Sequence, residues 1–506
     1  MPHQRRPQWW KVSPAGVCIL IIVGTVFAWF SVHPLWPTDL WDHVNYGEVI
    51  LNQGQLPETE PLLNHVETQM TWTDWGSKAL LAGIASAKDH GLLWLQLFHG
   101  SIVAGWVAVI GISVLKRTRS LTAALAACLV LVALNWQQIQ IIRPQTSGLL
   151  FFAAVATRCS RTDFKALRGN LIGLPALFLI WCNLHGSFSV GLALLGITLI
   201  GNSLQTALRC RSVHAVPASR RIRLQALALG ISIVVCLLNP AGPRIFADVL
   251  TIGRHPNIQY MFEWDALSLQ MKQGKVFLAV FVALIPILIR SPRRLRIDRL
   301  LWLLLFGSLT VWSSRMINWY SVVASLVIAE HVAAIIRSRT AGSPLRIHTR
   351  TAAAGAAAGS VILLSIGLTG VLQRQQPEAF SQLARRTPIA LGRHLQKSDI
   401  LRDHKIFTPA EWSGYLMRQA PNIQPLAHLH VHLLPEQVWI DHLTLHYGRD
   451  RWQAAARQND LSAFVVDRRR NRRLIQALRK TAGVKNVWQD GQAAIYVRDN
   501  KPQKTP

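Results

Sequence analysis

Eleven apolar runs recur along this 506-residue chain, at about residues 12–32, 92–115, 121–136, 145–157, 170–183, 187–208, 224–238, 274–290, 300–313, 317–336 and 351–371. A straight helix needs ~20 apolar residues to cross a bilayer's hydrocarbon core. Several runs are shorter, 145–157 being the weakest, so adjoining polar residues or irregular helices must complete them. Half of the residues are hydrophobic and the mean hydropathy is +0.24, too apolar for an ordinary soluble protein. The expected fold is an α-helical polytopic membrane protein with about eleven transmembrane helices.

The formal charge of +29 does not point to nucleic acid, because the basic residues fall between the apolar runs. Alternate connections carry them: Lys116, Arg117 and Arg119; Arg158, Arg161, Lys165 and Arg168; Arg209, Arg211, Arg220, Arg221 and Arg223. Arg290, Arg293, Arg294, Arg296 and Arg299 continue the pattern, then Arg337, Arg339, Arg346 and Arg350. Basic loops face the cytoplasm, so these connections, with Arg5, Arg6 and Lys11, place the N-terminus inside. An odd number of crossings then puts the chain beyond about residue 372 outside. The first run lacks a small-residue cleavage site and reads as a retained anchor. Cys18, Cys128, Cys182 and Cys236 fall in expected helices and Cys159 and Cys210 in cytoplasmic loops, with no metal or disulfide spacing.

The expected external segments collect polar residues without the Lys and Arg excess. The first, about 33–91, carries Asp39, Asp42, Glu48, Glu58, Glu60, Glu67, Asp74 and Asp89 against Lys78 and Lys88. Shorter external turns hold Arg143, then Asn183 with His185, and later Arg315; a longer one, about 239–273, contains Glu263 and Asp265. Polar groups gathered at helix ends on one membrane face imply a shared aqueous cavity, although each alone is more often a structural partner. The chemistry that fits is transfer from a membrane-anchored donor. A carboxylate there, Asp39 or Asp42, can take a proton from an acceptor hydroxyl. Arg143 and Arg315 can bind phosphate oxygens bidentately while staying charged. On a helical turn Asp39 and Asp42 would share a face; in an extended loop they would diverge.

DLWDHVNYG at 39–47, PETEP at 57–61 and TDWGSKALL at 73–81 together resemble the bacterial multi-spanning glycosyltransferases of the GT-C superfamily, related to protein mannosyltransferases, aminoarabinose transferases and oligosaccharyltransferase subunits. The resemblance continues through RPQ at 143–145, LIWCNLHGSF at 179–188, LLNPAGPR at 237–244, FEW at 262–264 and SSR at 313–315. It implies a bacterial cytoplasmic-membrane enzyme of the cell envelope that moves a sugar from a polyprenyl-phosphate donor to an external lipid, glycan or protein acceptor. By that resemblance Asp39 is the base, assisted by Asp42 or Asp74, and His43, Glu60, Arg143, Asn183, His185, Glu263 and Arg315 line the substrate site. Asp42 replaces an aromatic common in the branch and Asp74 a Glu, leaving open which carboxylate is essential. A divalent cation, Mg²⁺ or Mn²⁺, suits carboxylates and phosphate but is not required by the sequence.

Residues 1–371 thus read as the transmembrane domain and 372–506 as a small α/β domain outside the membrane. IFT at 406–408, VWI at 438–440, AFVVD at 463–467 and AAIYVR at 493–498 are expected strands. RRRNRRLIQALRKTAG at 468–483 is expected to form a basic amphipathic helix ending at Gly483. Alternating His residues in HLHVH, 428–432, would share one face of a strand, but no nearby Cys or acidic residue completes a metal set, so no metal ligand is assigned. No Walker motif, dinucleotide fingerprint or HExxH occurs. The competing reading is a transporter or flippase, which would place ionisable residues at mid-membrane and repeat its halves; no such repeat is visible.

Overall fold

The computed structural model describes residues 14–63, 65–87, 90–161, 164–339, 359, 382–402 and 404–498. Gly359 apart, the apolar run at 351–371 lies outside them, as do Arg5, Arg6, Lys11, Lys88, Asp89, Arg346 and Arg350. The other ten runs are helical: Pro14–Ser31, Gly91–Thr118, Leu121–Asn135, Pro144–Cys159, Phe164–Leu184, Phe188–Cys210, Arg220–Cys236, Lys272–Arg290, Ile297–Trp312 and Ile317–Arg339. Among the described residues, six spans are long and apolar enough to cross a membrane by themselves: Pro14–Ser31, Gly91–Thr118, Leu167–Leu184, Phe188–Cys210, Lys272–Arg290 and Ser314–Arg339. The chain is a multi-pass membrane protein. It divides into two compact units, and residues 34–92 belong to the same unit as the C-terminal residues.

The helical unit comprises residues up to His33, Leu93–Pro243 and Phe262–Gln382. Its centre is Ile317–Arg339, buried along most of its length against Leu121–Asn135, Ile297–Trp312, Pro144–Cys159 and Lys272–Arg290. Leu121–Asn135 has 15 residues and so rises about 22 Å, short of a full crossing. Its C-terminal Asn135 instead donates its Nδ2 to Ser321 Oγ on the central helix at 2.5 Å, keeping that buried amide nitrogen partnered. Phe152 meets Phe306 and Trp319 edge-on, with centroids 5.3 and 5.1 Å apart. On the outer surface Ile172, Leu129 and Ile289 stand exposed, as lipid-facing residues do.

One end of this unit is basic. Lys116, Arg117, Arg158, Arg161, Arg293 and Arg296 line a cavity of about 820 Å³. Arg117, Arg293 and Arg299 reach Glu330 at 2.7, 3.2 and 3.4 Å. Arg158 closes the helix that starts at Pro144, and Arg337 lies near the end of the helix that starts at Ile317. Arg143 and Arg315, just before those two starts, therefore lie at the opposite end, one helix length away.

The second unit comprises Pro34–Leu92, Arg244–Met261 and Leu383–Pro506. Its sheet runs in the order β2-β1-β3-β5-β4, with β1 Lys405–Phe407, β2 Gln424–Pro425, β3 Ala463–Asp467, β4 Val484–Gln489 and β5 Ala493–Arg498. β1 pairs in parallel with β2 and β3; β5 pairs antiparallel with β3 and β4. Three of the four expected strands appear as β1, β3 and β5. VWI at 438–440 does not: it lies in helix Glu436–Tyr447, where Trp439, His442 and Leu445 are buried at helical spacing and Gly448, at φ +59°, ends the turn. The basic helix spans Arg472–Lys480, burying Leu474, Ile475 and Leu478 under the sheet, with Gly483 left-handed beyond it. HLHVH is also no strand; it is a loop entering a single 3₁₀ turn, Val431–Leu433.

Candidate active site

The acidic loop of the sequence is helical where it matters. Asp39 precedes helix Leu40–Gln53, Asp42 stands in its first turn, and the His43 N–H donates to the Asp39 carbonyl at 2.9 Å. Gly54, at φ +66°, closes the helix by donating to Ile50 O. Helix Trp75–Ala85 crosses it at Gly47, where any Cβ would stand 2.0 Å from the Lys78 carbonyl oxygen. That close crossing brings Asp74, which precedes the second helix, to the face bearing Asp39 and His43. The His43 ring lies between two carboxylates, Nε2 3.9 Å from Asp39 and Nδ1 3.4 Å from Asp74. Asp74 also takes a 3.0 Å ion pair from Lys78, a buried cation over the rings of Tyr46 and Trp72 at 4.8 and 5.4 Å.

Asp42 turns the other way on the same helix and is buried. Its Oδ2 accepts the Leu429 N–H at 3.0 Å and stands 3.7 Å from His430 Nδ1. Helix Ala410–Gln419 approaches at Gly414, where a Cβ would lie 2.3 Å from Asp42 Oδ1, and the Gly414 carbonyl accepts from Asn45 at 2.9 Å. Of the two arrangements the sequence leaves open, Asp39 and Asp42 take the helical one, yet their side chains have different neighbours.

Glu60 is placed by a short ladder in which its N–H donates to Thr68 O at 3.0 Å and Met70 N–H to Glu58 O at 2.9 Å. Its carboxylate points inward, accepting Leu62 N–H at 2.8 Å and a short bond from the Tyr46 hydroxyl. Tyr46 Oη is also 2.8 Å from His428 Nε2. Burial alone would raise the Glu60 pKa, but the His428 hydrogen bond and charge, with Tyr46 and Leu62, outweigh it and hold it at about 2. Burial likewise opposes charge on His428, and Glu60 overcomes it, so the His428 pKa is raised. Tyr46 is pushed well up by burial and the adjacent carboxylate.

In the helical unit, Arg143 and Arg315 converge on Glu263, each with a nitrogen 2.5 Å from a different carboxylate oxygen. Arg143 is positioned by the helix it introduces, its N–H donating to the Thr146 hydroxyl at 3.2 Å ahead of Pro144 at the first helical position. Arg315 sits in the 3₁₀ turn Ser314–Met316, fixed by Ser314 Oγ donating to Glu263 O at 3.0 Å, and stacks on Trp264 at 5.1 Å. Burial raises the Glu263 pKa, but the two guanidinium charges prevail and set it at about 2. Asn183 and His185 have contacts of their own. Asn183 Oδ1 accepts from Asn239 at 3.2 Å, and His185 Nδ1 meets Ser187 Oγ at 2.7 Å in the turn before helix Phe188–Cys210.

Two groupings therefore emerge from the residues singled out in the sequence: Asp39, His43 and Asp74, and separately Arg143, Glu263 and Arg315. Asp42 joins His430, Glu60 joins Tyr46 and His428, and Asp74 joins Lys78, partners that the sequence does not bring to notice as site residues. Lys78 and Tyr46 carry a usable signal, each lying four residues from an acidic residue in a helix, Asp74 and Asp42. The histidines lie so far along the chain that no local pattern pairs them with Asp42.

No protein-family model and no curated protein sequence matches this chain. Solved structures do. ArnT from Cupriavidus metallidurans bound to undecaprenyl phosphate superposes with a TM-score of 0.53 at 13% identity, covering 95% of this chain and 96% of ArnT. Its apo state gives 0.53 at 14%, covering 95% and 97%. The apo oligosaccharyltransferase of Archaeoglobus fulgidus gives 0.50 at 12%, covering 91% of this chain and 70% of that one. The chain thus shares the overall fold of these solved structures.

Proposed function

We propose that this protein is a membrane glycosyltransferase that moves a sugar from a polyprenyl-phosphate carrier to an acceptor outside the cytoplasm, with Asp39 as general base. The observation that carries the assignment is the ranking of three carboxylates on one helix pair. The Asp39 side chain is 23% exposed, Asp74 14% and paired with Lys78, and Asp42 1%. A base must reach the acceptor, and Asp39 is the most accessible of the three. ArnT was crystallised with undecaprenyl phosphate, which favours a lipid phosphate as leaving group.

In the reaction Asp39 takes the acceptor hydroxyl proton as its oxygen bonds the anomeric carbon, and the bond from that carbon to the phosphate oxygen breaks. His43, between Asp39 and Asp74, steadies the base. Within the helical unit, Arg143 and Arg315, both held by Glu263, are the groups suited to bind a lipid phosphate. Neither group of converging metal donors among the described residues contains Asp39, and both include imidazoles, which suit Mg²⁺ or Mn²⁺ less well than carboxylates do. The clustering of basic residues at one end of the helical unit supports a cytoplasmic placement of that end, with Arg143, Glu263 and Arg315 external. We assign the protein to the bacterial inner membrane, with its N-terminus cytoplasmic and the sheet-bearing unit outside.

The test is purified protein in liposomes with a polyprenyl-phosphate sugar and candidate lipid and glycan acceptors. Sugar transfer that disappears in Asp39→Asn while the folded protein persists supports the proposal. Flux of the lipid-linked sugar without any acceptor chemistry would instead favour a flippase.

A further inference from the structure

HLHVH has no part in the transfer reaction, yet the structure surrounds it with unusual chemistry. Within the sheet-bearing unit the loop after β2 is pinned by Ser413 donating to Ala427 O at 2.6 Å and by His65 Nε2 3.1 Å from Leu426 O. It thereby sets His428 and His430 against the inward face of helix Leu40–Gln53, where Asp42 stands. One donor atom from each of Asp42, His428 and His430 lies within 4.8 Å of the others. These side chains are 1%, 0% and 5% exposed. The acidic ligand missing from the neighbouring sequence is supplied from the far end of the chain.

Two donors in this cluster have no hydrogen-bond partner among the described residues: Asp42 Oδ1 and His430 Nδ1. Leaving a buried carboxylate oxygen and a ring nitrogen unsatisfied is costly, and an ion is one recognised resolution. The third donor is prepared from behind. His428 Nε2 faces Tyr46 Oη at 2.8 Å, and Tyr46 bonds Glu60, so Nδ1 is the nitrogen turned to the cluster. There it accepts one long hydrogen bond, from the His430 N–H at 3.3 Å. A carboxylate held behind a ligating histidine fixes its tautomer and raises its basicity, as in many zinc sites.

The geometry points to a buried site for a zinc-class divalent cation formed by Asp42, His428 and His430, with Tyr46 and Glu60 as its outer shell. Two imidazoles and one carboxylate suit such a borderline ion better than Mg²⁺ or Ca²⁺. Tetrahedral Zn²⁺ with bonds of ~2.1 Å needs donors roughly 3.4 Å apart, and Asp42 and His430 already stand 3.7 Å apart. Small side-chain rotations close the rest. The ion staples the first external segment to the C-terminal residues of the same unit. A second set, His43, Asp74 and His430, shares one histidine. Lys78, 3.0 Å from Asp74, places a positive charge against a cation there.

The test uses full-length protein carrying no polyhistidine tag, purified without chelator, with Zn²⁺ and then Co²⁺ as probes. Metal analysis should find about one equivalent of Zn²⁺, and Co²⁺ replacing it should show the visible bands of a tetrahedral N/O site. Asp42→Asn and His430→Ala should lose the equivalent, and Tyr46→Phe should weaken it about tenfold. His432→Ala should retain it. Because a ligand variant can misfold, the wild-type titration decides alone if needed: no stoichiometric uptake of either ion overturns the site. Loss of the metal in His43→Ala with retention in Asp42→Asn would move it to the neighbouring set and overturn this assignment.

Discussion

Replacing Glu263 by Gln isolates the ion-pair arrangement of the helical unit. The carboxylate lies 2.5 Å from a nitrogen of both Arg143 and Arg315 and its side chain is 20% exposed. Its pKa, displaced from 4.5 to about 2 in the folded protein, corresponds to roughly 3 kcal/mol at about 1.4 kcal/mol for each pH unit. Screening at a partly exposed site lowers that to roughly 2 kcal/mol. A carboxylate whose pKa is depressed on folding contributes stability above its unfolded value and loses it as pH falls towards the folded value. The wild type should therefore exceed Glu263→Gln by about 2 kcal/mol at neutral pH, with the gap narrowing below pH ~4.5 and under half by pH ~3. Thermal unfolding in detergent or nanodiscs across that range measures it. A gap unchanged between pH 7 and pH 3 would refute an ionic origin.

Loss of a guanidinium should act on the donor: Arg315→Ala is expected to raise KM for the lipid-linked sugar, and a matching rise for the acceptor alone would count against phosphate binding. Gly414→Ala puts a Cβ 2.3 Å from Asp42 Oδ1 and 2.7 Å from its backbone nitrogen, so it should cost about 1–3 kcal/mol in thermal stability; an unchanged midpoint would show that the helices separate freely. Lys78→Met leaves the half-buried Asp74 without its Lys78 cation and should destabilise by about 1–3 kcal/mol, while adding Asp74→Asn should recover much of that loss. Additive losses in the pair would contradict their coupling.

Much of this arrangement was legible in the chain because bilayer physics is one-dimensional. Apolar run length and loop charge locate helices without knowledge of their packing, so all ten runs within the described residues are helical. The local α/β signals succeeded where burial on both faces made a strand continuous, as in AFVVD and AAIYVR. They failed at VWI, where three β-favouring residues sit inside a longer helical periodicity that Pro435 and Gly448 delimit. Candidate residues near one another in sequence, such as Asp39 and His43, were also legible. The pairing of Asp42 with His428 and His430 was not, because it depends on the packing of Gly414 against a helix formed hundreds of residues earlier. The resemblance singles out Asp39 as base, but composition and spacing do not separate it from Asp42: both are acidic residues of one loop, and the fold leaves Asp39 partly exposed while burying Asp42.

The most direct test of the central claim is single-turnover transfer by Asp39→Asn in liposomes containing a polyprenyl-phosphate sugar, compared with Asp42→Asn under metal-replete conditions. Loss of general-base catalysis predicts a fall in rate of about 10²–10⁴ for Asp39→Asn with lipid binding and thermal midpoint preserved. An Asp39→Asn protein that transfers sugar at the wild-type rate would contradict the account.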